Sequence, residues 1–129
     1  MEFFQQLLEA NGQFQYQAKS FSLKLPGGRV RYHWNEVSTI FGGQDNEVSS
    51  GDLYVDLFFK DGSQVRVKEE MEGWYRFLKE LVAHFPGLEP DWDIDISSPI
   101  NQSNLTLLYD KLKRSMPRAL EDCYDLPLI

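Results

Sequence analysis

Hydrophobic residues along the chain follow two periods, and each change of period marks an element. Leu53, Val55, Leu57 and Phe59 share one face of an extended segment, and Val65 and Val67 are the apolar positions of the next. A two-residue turn at Asp61-Gly62 would set Leu57 opposite Arg66 and Val55 opposite Lys68, mixing core with surface. A three-residue loop of Lys60, Asp61 and Gly62, with Gly62 at positive φ in a bulge, pairs Phe59 with Ser63, Leu57 with Val65 and Val55 with Val67. The pattern therefore predicts the longer loop. On the opposite face it sets Asp56 across from Arg66, Tyr54 from Lys68 and Phe58 from Gln64.

Directly after this hairpin the period lengthens. Met71, Trp74, Leu78, Leu81 and Phe85 recur at three and four, with Tyr75, Phe77 and Val82 widening the stripe, which predicts a capping helix over 71–85. Glu69, Glu70 and Glu72 suit its positive end, and Phe85-Pro86-Gly87 stops it. Phe3, Phe4, Leu7 and Leu8 predict an N-terminal helix within residues 1–12, ended by Asn11-Gly12. Phe14, Tyr16 and Ala18 alternate in one phase and Phe21, Leu23 and Leu25 in the other, so either two strands meet near Lys19-Ser20 or one strand carries a bulge. A four-residue loop at Pro26-Gly27-Gly28-Arg29 would bring Leu25 against Val30, Leu23 against Tyr32 and Phe21 against Trp34.

Trp34, Val37 and Ile40 lie three apart and predict a turn followed by a short strand, after which residues 42–51 read as a polar loop. Strands are thus expected across 14–69. Trp92, Ile94 and Ile96 alternate with Asp91, Asp93 and Asp95 as an edge strand or an extended segment laid on the core. Leu105, Leu108, Tyr109 and Leu112 predict a C-terminal helix over 102–115, closed by Pro117. The reading is a single α+β domain over residues 1–129.

Composition narrows the possible functions. Thirteen Lys and Arg against 20 Asp and Glu give a net charge of −7, which opposes sequence-independent nucleic-acid binding and general attraction to anionic membranes. One cysteine, Cys123, forms no intrachain disulfide and fits a reducing compartment. No membrane span and no secretory leader is expected, so the predicted location is the cytoplasm.

No catalytic constellation emerges. Asp45, Asn46, Glu47, Ser49, Ser50 and Asp52 offer oxygen ligands without the ordered spacing of a calcium loop, and Asp91, Asp93 and Asp95 read as the polar face of a strand. His33 and His84 have no motif partner, Cys123 has only Arg118 nearby as a base, and Pro26-Gly27-Gly28 is a hairpin turn instead of a phosphate loop. No catalytic residue, metal ligand or cofactor is assigned. The candidate binding surface is the outer face of the sheet, where Arg31 and the set Tyr54, Phe58, Arg66 and Lys68 mix aromatics with cations. A terminal helix covering Tyr54 and Phe58 as a second small core is the competing reading.

The hairpins, the Trp34-x-x-Val37-x-x-Ile40 turn, the Glu-rich entry to a helix carrying Gly73-Trp74 and ending Phe85-Pro86-Gly87, and the following Trp92 resemble a group of small, uncharacterised bacterial proteins. Over residues 20–96 that resemblance implies a pleckstrin-homology-like core, a curved antiparallel partial barrel capped by the helix, to which the N-terminal and C-terminal helices are added. Some small acidic members act as immunity proteins against toxins, and the resemblance carries over no catalytic residues. Lys24, Arg29 and Arg31 match the spacing of the basic signature of lipid-binding pleckstrin-homology domains. The leading expectation is a non-catalytic interaction protein, an immunity or accessory factor acting on a protein partner; the alternative is recognition of a phosphate-bearing ligand or lipid headgroup by Lys24, Arg29 and Arg31.

Overall fold

A computed structural model of the chain describes residues 10–44, 52–89, 91–92 and 105–124. Its elements are β1 (Phe14–Tyr16), β2 (Ser20–Leu25), β3 (Gly28–His33), a 3-10 turn (Trp34–Glu36), β4 (Val37–Gln44), β5 (Leu53–Phe59), β6 (Gln64–Lys68), α1 (Trp74–His84), β7 (Thr106–Asp110) and α2 (Met116–Tyr124). The strands form two antiparallel sheets, ordered β1-β2-β3 and β6-β5-β4-β7, in an α+β arrangement that closes no barrel among the described residues. The helix expected within 1–12 and the alternating segment 93–96 lie outside the described residues, apart from residues 10–12 at the end of the former.

The central hairpin has the register its alternation predicts. Leu57 pairs with Val65, Val55 with Val67 and Asp56 with Arg66, while the Phe59 amide donates to the Ser63 carbonyl at 2.9 Å. Gly62 closes the three-residue loop at φ 88°, a conformation that a β-carbon would strain. The first hairpin departs from expectation. Leu25 pairs with Gly28, Leu23 with Val30 and Phe21 with Tyr32, so the loop is the two residues Pro26-Gly27 and the register is displaced by two from the four-residue reading. A shift of two keeps every side chain on its predicted face, which is why face patterning alone did not separate the two loops. Of the two readings for residues 14–25, two strands form, joined by a turn in which the Gln17 amide donates to the Ser20 carbonyl.

Three boundaries are corrected. Gly42, Gly43 and Gln44, read as loop, continue β4 through the middle of its sheet and are buried. A β-carbon on Gly42 would stand 2.7 Å from the Trp92 ring, and one on Gly43 2.5 Å from the Tyr54 hydroxyl, so glycines here let two large rings lie on the strand. The helix expected over 102–115 is not formed where the structure describes it: Thr106–Asp110 is an edge strand beside β4, and the helix runs from Met116 to Tyr124. Pro117 begins that helix instead of ending one, in the first turn where its missing N–H has no intrahelical role. Finally, α1 starts at Trp74 and ends at His84. Glu69 does not cap it, because its carboxylate accepts the Leu53 amide at 2.9 Å and closes the mouth of the central hairpin.

The main core lies between the inner faces of both sheets and one side of α1. Trp74, Phe77 and Leu81 project into it, with the Phe77 ring 5.1 Å from Phe14 and 5.4 Å from Phe21. A second, smaller core forms on the opposite face of the larger sheet, where Ala119, Leu120, Cys123 and Tyr124 of α2 meet Phe41 and Phe58. α2 thus covers the centre of that face while Gln64, Arg66 and Lys68 of the edge strand stay exposed, and on the outer face of the smaller sheet Lys24, Arg29 and Arg31 are exposed among the described residues.

Candidate functional site

The four residues of the central hairpin proposed from sequence as a binding patch do not form an open surface. Tyr54 and Phe58 are each 8% exposed. The Phe58 ring centroid sits 5.1 Å from that of Tyr124 and 6.1 Å from that of Phe41, so the competing reading, a helix-covered second core, is the observed one, and α2 supplies the helix. The Arg66 guanidinium lies 3.9 Å from the Tyr54 ring centroid and donates to both Asp56 oxygens, at 2.7 and 2.9 Å. Tyr124 donates its hydroxyl to Asp56 Oδ2 at 2.6 Å. Burial, and then that bond to a carboxylate, push the Tyr124 phenol far above its ordinary range, while hydrogen bonding to Asp56 holds the Arg66 proton more firmly. Asp56, Gln64, Val65, Arg66 and Tyr124 line a cavity of about 400 Å³. Lys68 is exposed at the sheet edge, and Arg31 belongs to the other sheet.

Sequence reasoning missed a second polar cluster, at the junction of β4, β7 and α2. Arg114 donates to Asp110 Oδ2 at 2.9 Å and Oδ1 at 3.0 Å, to Thr39 Oγ1 at 2.9 Å and to Asp122 Oδ2 at 3.0 Å. Asp110 also accepts the Thr39 hydroxyl and the amides of Leu112 and Arg114. Burial would raise the Asp110 pKa, but these donors, Arg114 foremost, outweigh it and hold the carboxyl below its ordinary value. The Arg114 guanidinium reaches within 3.9 Å of the Cys123 sulfur, a basic neighbour that the sequence had not placed there. The signal available was weak: Asp110 and Arg114 are four apart in a segment whose spacing also suited a helix.

A cavity of about 590 Å³ is lined by residues including Trp34, His84, Phe85, Tyr109, Lys19 and Lys111. His84 stacks on Trp34 at 4.4 Å and 15°, and its Nδ1 lies 2.9 Å from the Glu80 carbonyl oxygen. Among the described residues no three of His, Cys, Asp and Glu gather as metal ligands would. Of the acidic loop weighed for calcium, residues 45–51 lie outside the described residues, as do Asp93 and Asp95.

Lys24, Arg29 and Arg31 are brought together. Lys24 pairs with Arg29 and Ser22 with Arg31 across β2 and β3, so Ser22, Lys24, Arg29 and Arg31 share the outer face of the smaller sheet, with His33 next in the same row. Arg29 donates to Ser22 Oγ at 3.2 Å and to the Gln13 carbonyl at 3.5 Å, and all three cations are exposed. No carboxylate among the described residues pairs with any of them, whereas Arg66, Arg76, Arg114 and Arg118 each hold an ion pair. A charge signal for this face lay in the sequence: residues 10–35 contain Lys19, Lys24, Arg29 and Arg31 and no Asp or Glu, leaving −11 on the rest of the chain. Comparison of the chain with protein-family models, with curated proteins and with solved structures finds no match. Among the described residues no helix is long and apolar enough to cross a membrane.

Proposed function

We propose that the chain is a non-catalytic binding protein that recognises an acidic protein partner on the outer face of the β1-β2-β3 sheet, with Lys24, Arg29 and Arg31 as the contact residues. The carrying observation is that both arginines lacking a carboxylate partner among the described residues, Arg29 and Arg31, stand side by side in one row of β3. Arg66 and Arg114 tie elements together and Arg76 and Arg118 pair within their own helices, whereas among the described residues no carboxylate balances Arg29 or Arg31. The segregation of four cations on residues 10–35 from a remainder with a net charge of −11 favours oriented encounter, since an acidic partner is attracted to the basic stretch and repelled by the net charge of the rest. An immunity or accessory role is the form this function takes if the partner is a toxin. Two antiparallel hairpins with a helix over their shared core support the likeness to a pleckstrin-homology-like core.

The test is retention on a carboxylate-bearing matrix at pH 7 and low salt, followed by recovery of the native partner. The wild-type chain is retained despite its net charge of −7, and Arg29→Glu/Arg31→Glu flows through with unchanged thermal stability. Equal retention of the two proteins, or a partner recovered equally by both, would remove the proposal. A second reading, a phosphate-bearing ligand, is favoured by the direct pairing of Lys24 with Arg29 beside the Ser22 hydroxyl. Titration with inorganic phosphate and with soluble phosphoinositide headgroups, followed through the amide signals of Lys24, Arg29 and Arg31, tests it; unmoved signals exclude it.

A further inference from the structure

The same strand that carries Arg29 and Arg31 is also an edge of its sheet among the described strands. β3 pairs only with β2 among the described strands, and Gly28, Arg29, Val30, Arg31 and His33 are exposed, Val30 at 42% although it belongs to the inner, apolar row. Backbone parity tells which groups face outward. The Lys24 amide donates to the Gln13 carbonyl, so Lys24 turns its backbone groups toward β1 and does not exchange them with its opposite residue, Arg29. By alternation, Gly28, Val30 and Tyr32 bond β2, while Arg29 and Arg31 direct their N–H and C=O groups, and His33 its N–H, to the edge away from β2; the His33 carbonyl begins the 3-10 turn. The three residues whose N–H groups face this edge are thus the three whose side chains form the basic row.

We infer that β3 is a strand-addition site, and that its occupant is an extended acidic segment of a partner protein, laid antiparallel with carboxylates opposite Arg29 and Arg31 and apolar side chains opposite Val30 and Tyr32. The inference rests on the proposed anionic partner and specifies its form. Main-chain bonds to an open edge supply affinity, and the alternating rows of side chains supply selectivity. Charge chooses the occupant. A second copy of this chain pairing edge to edge through the same strand would oppose Arg29 and Arg31 to their own counterparts, and like charges directly across a ladder are unfavourable; a segment alternating acidic and apolar residues meets a complement in both rows. An isolated edge arginine serves to discourage such self-pairing, but two in one row with no internal acid also present a template for an acidic strand.

The experiment uses the full chain and three capped nine-residue peptides alternating aspartate and valine: unmodified, N-methylated at every aspartate, and N-methylated at every valine. In an antiparallel addition the aspartate amides bond β3 and the valine amides face away. The unmodified and valine-methylated peptides are expected to bind and to slow hydrogen exchange at the amides of Arg29, Arg31 and His33, and the aspartate-methylated peptide to bind at least tenfold more weakly. Equal binding of all three, with loss on Arg29→Glu/Arg31→Glu, would overturn strand addition and leave the cationic-face reading standing. Absence of binding by every peptide at low salt would overturn both.

Discussion

Replacing Arg114 by methionine removes the guanidinium that bridges β7, β4 and α2 while keeping most of the aliphatic volume. The Asp110 side chain is 3% exposed, and it loses two charged donors at 2.9 and 3.0 Å. The Thr39 hydroxyl and two backbone amides remain on it, so the carboxylate is impoverished but not abandoned. Breaking a buried pair from one side costs about 3–5 kcal/mol when nothing else supports the charge, and the surviving donors place this case near the lower bound, at about 3 kcal/mol. For a chain of this size that is a fall in Tm of about 10 °C. The effect depends on pH with a definite sign. In the wild type the folded-state pKa of Asp110 is depressed, so the group contributes stability above its ordinary value of 3.8, and that contribution is lost as pH falls through the folded value. Without Arg114 burial prevails and the folded pKa rises, so the variant is penalised most when Asp110 must be ionised. Thermal melts by circular dichroism at pH 7 and pH 3 are expected to show a large gap between wild type and variant at the first and a much smaller one at the second. Adding Asp110→Asn, which still accepts the turn amides, should restore part of the loss in a double-mutant cycle, with a coupling of about 2 kcal/mol. A gap of equal size at both pH values, or a cycle that is additive, would show that Arg114 acts through packing alone.

Gly42→Ala should cost about 1–3 kcal/mol by overpacking, because the new methyl meets the Trp92 ring and Leu108 within 3 Å, and a shift in tryptophan emission should accompany it; Gly27→Ala, with nothing within 4 Å, is the neutral control. Phe77→Ala empties a site ringed by Phe14, Phe21 and Trp34 and is expected to lower stability by about 3–5 kcal/mol in urea titration. Absorbance titration at alkaline pH should find Tyr16, Tyr32 and Tyr124 resisting ionisation beyond the phenol value of 10.0, mainly because burial raises each. Since their folded pKa values lie above the unfolded one, their contribution is complete below pH 10 and lost as pH rises through the folded values, so unfolding and the delayed tyrosine signal should appear together; ordinary titration of all six tyrosines in the folded chain would contradict this.

The elements that were legible are those where one period ran without interruption. Leu53 to Val67 alternates cleanly and ends in a glycine at the one loop position that needs it, so face, register and turn were all determined. Two of the misread segments are those where a bulge breaks the alternation. In β7, Ile40 pairs with Tyr109 and Phe41 with Leu107, leaving Leu108 as an extra residue; two neighbours then face the main core, and the apolar spacing imitates a helix. A shift between Val37 and Thr39 does the same beside the Trp34 turn, where spacing by three suggested that the strand would be short. Lys24, Arg29 and Arg31 were placed on one hairpin from sequence, whereas the fate of Tyr54 and Phe58 depended on a helix whose own position was misplaced.

By itself the sequence determined the α+β class, the central hairpin with its Gly62 loop, the helix that seals the main core, and the separation of a basic stretch from an acidic remainder, because each follows from local periodicity, local turn stereochemistry or counting charge. Only the tertiary structure decided which faces stay open. Whether α2 lies over Phe58, whether Arg66 is held by Asp56 and Tyr124, and whether β3 keeps a free edge are outcomes of packing between segments far apart in the chain, where burial and pairing depend on all the partners at once.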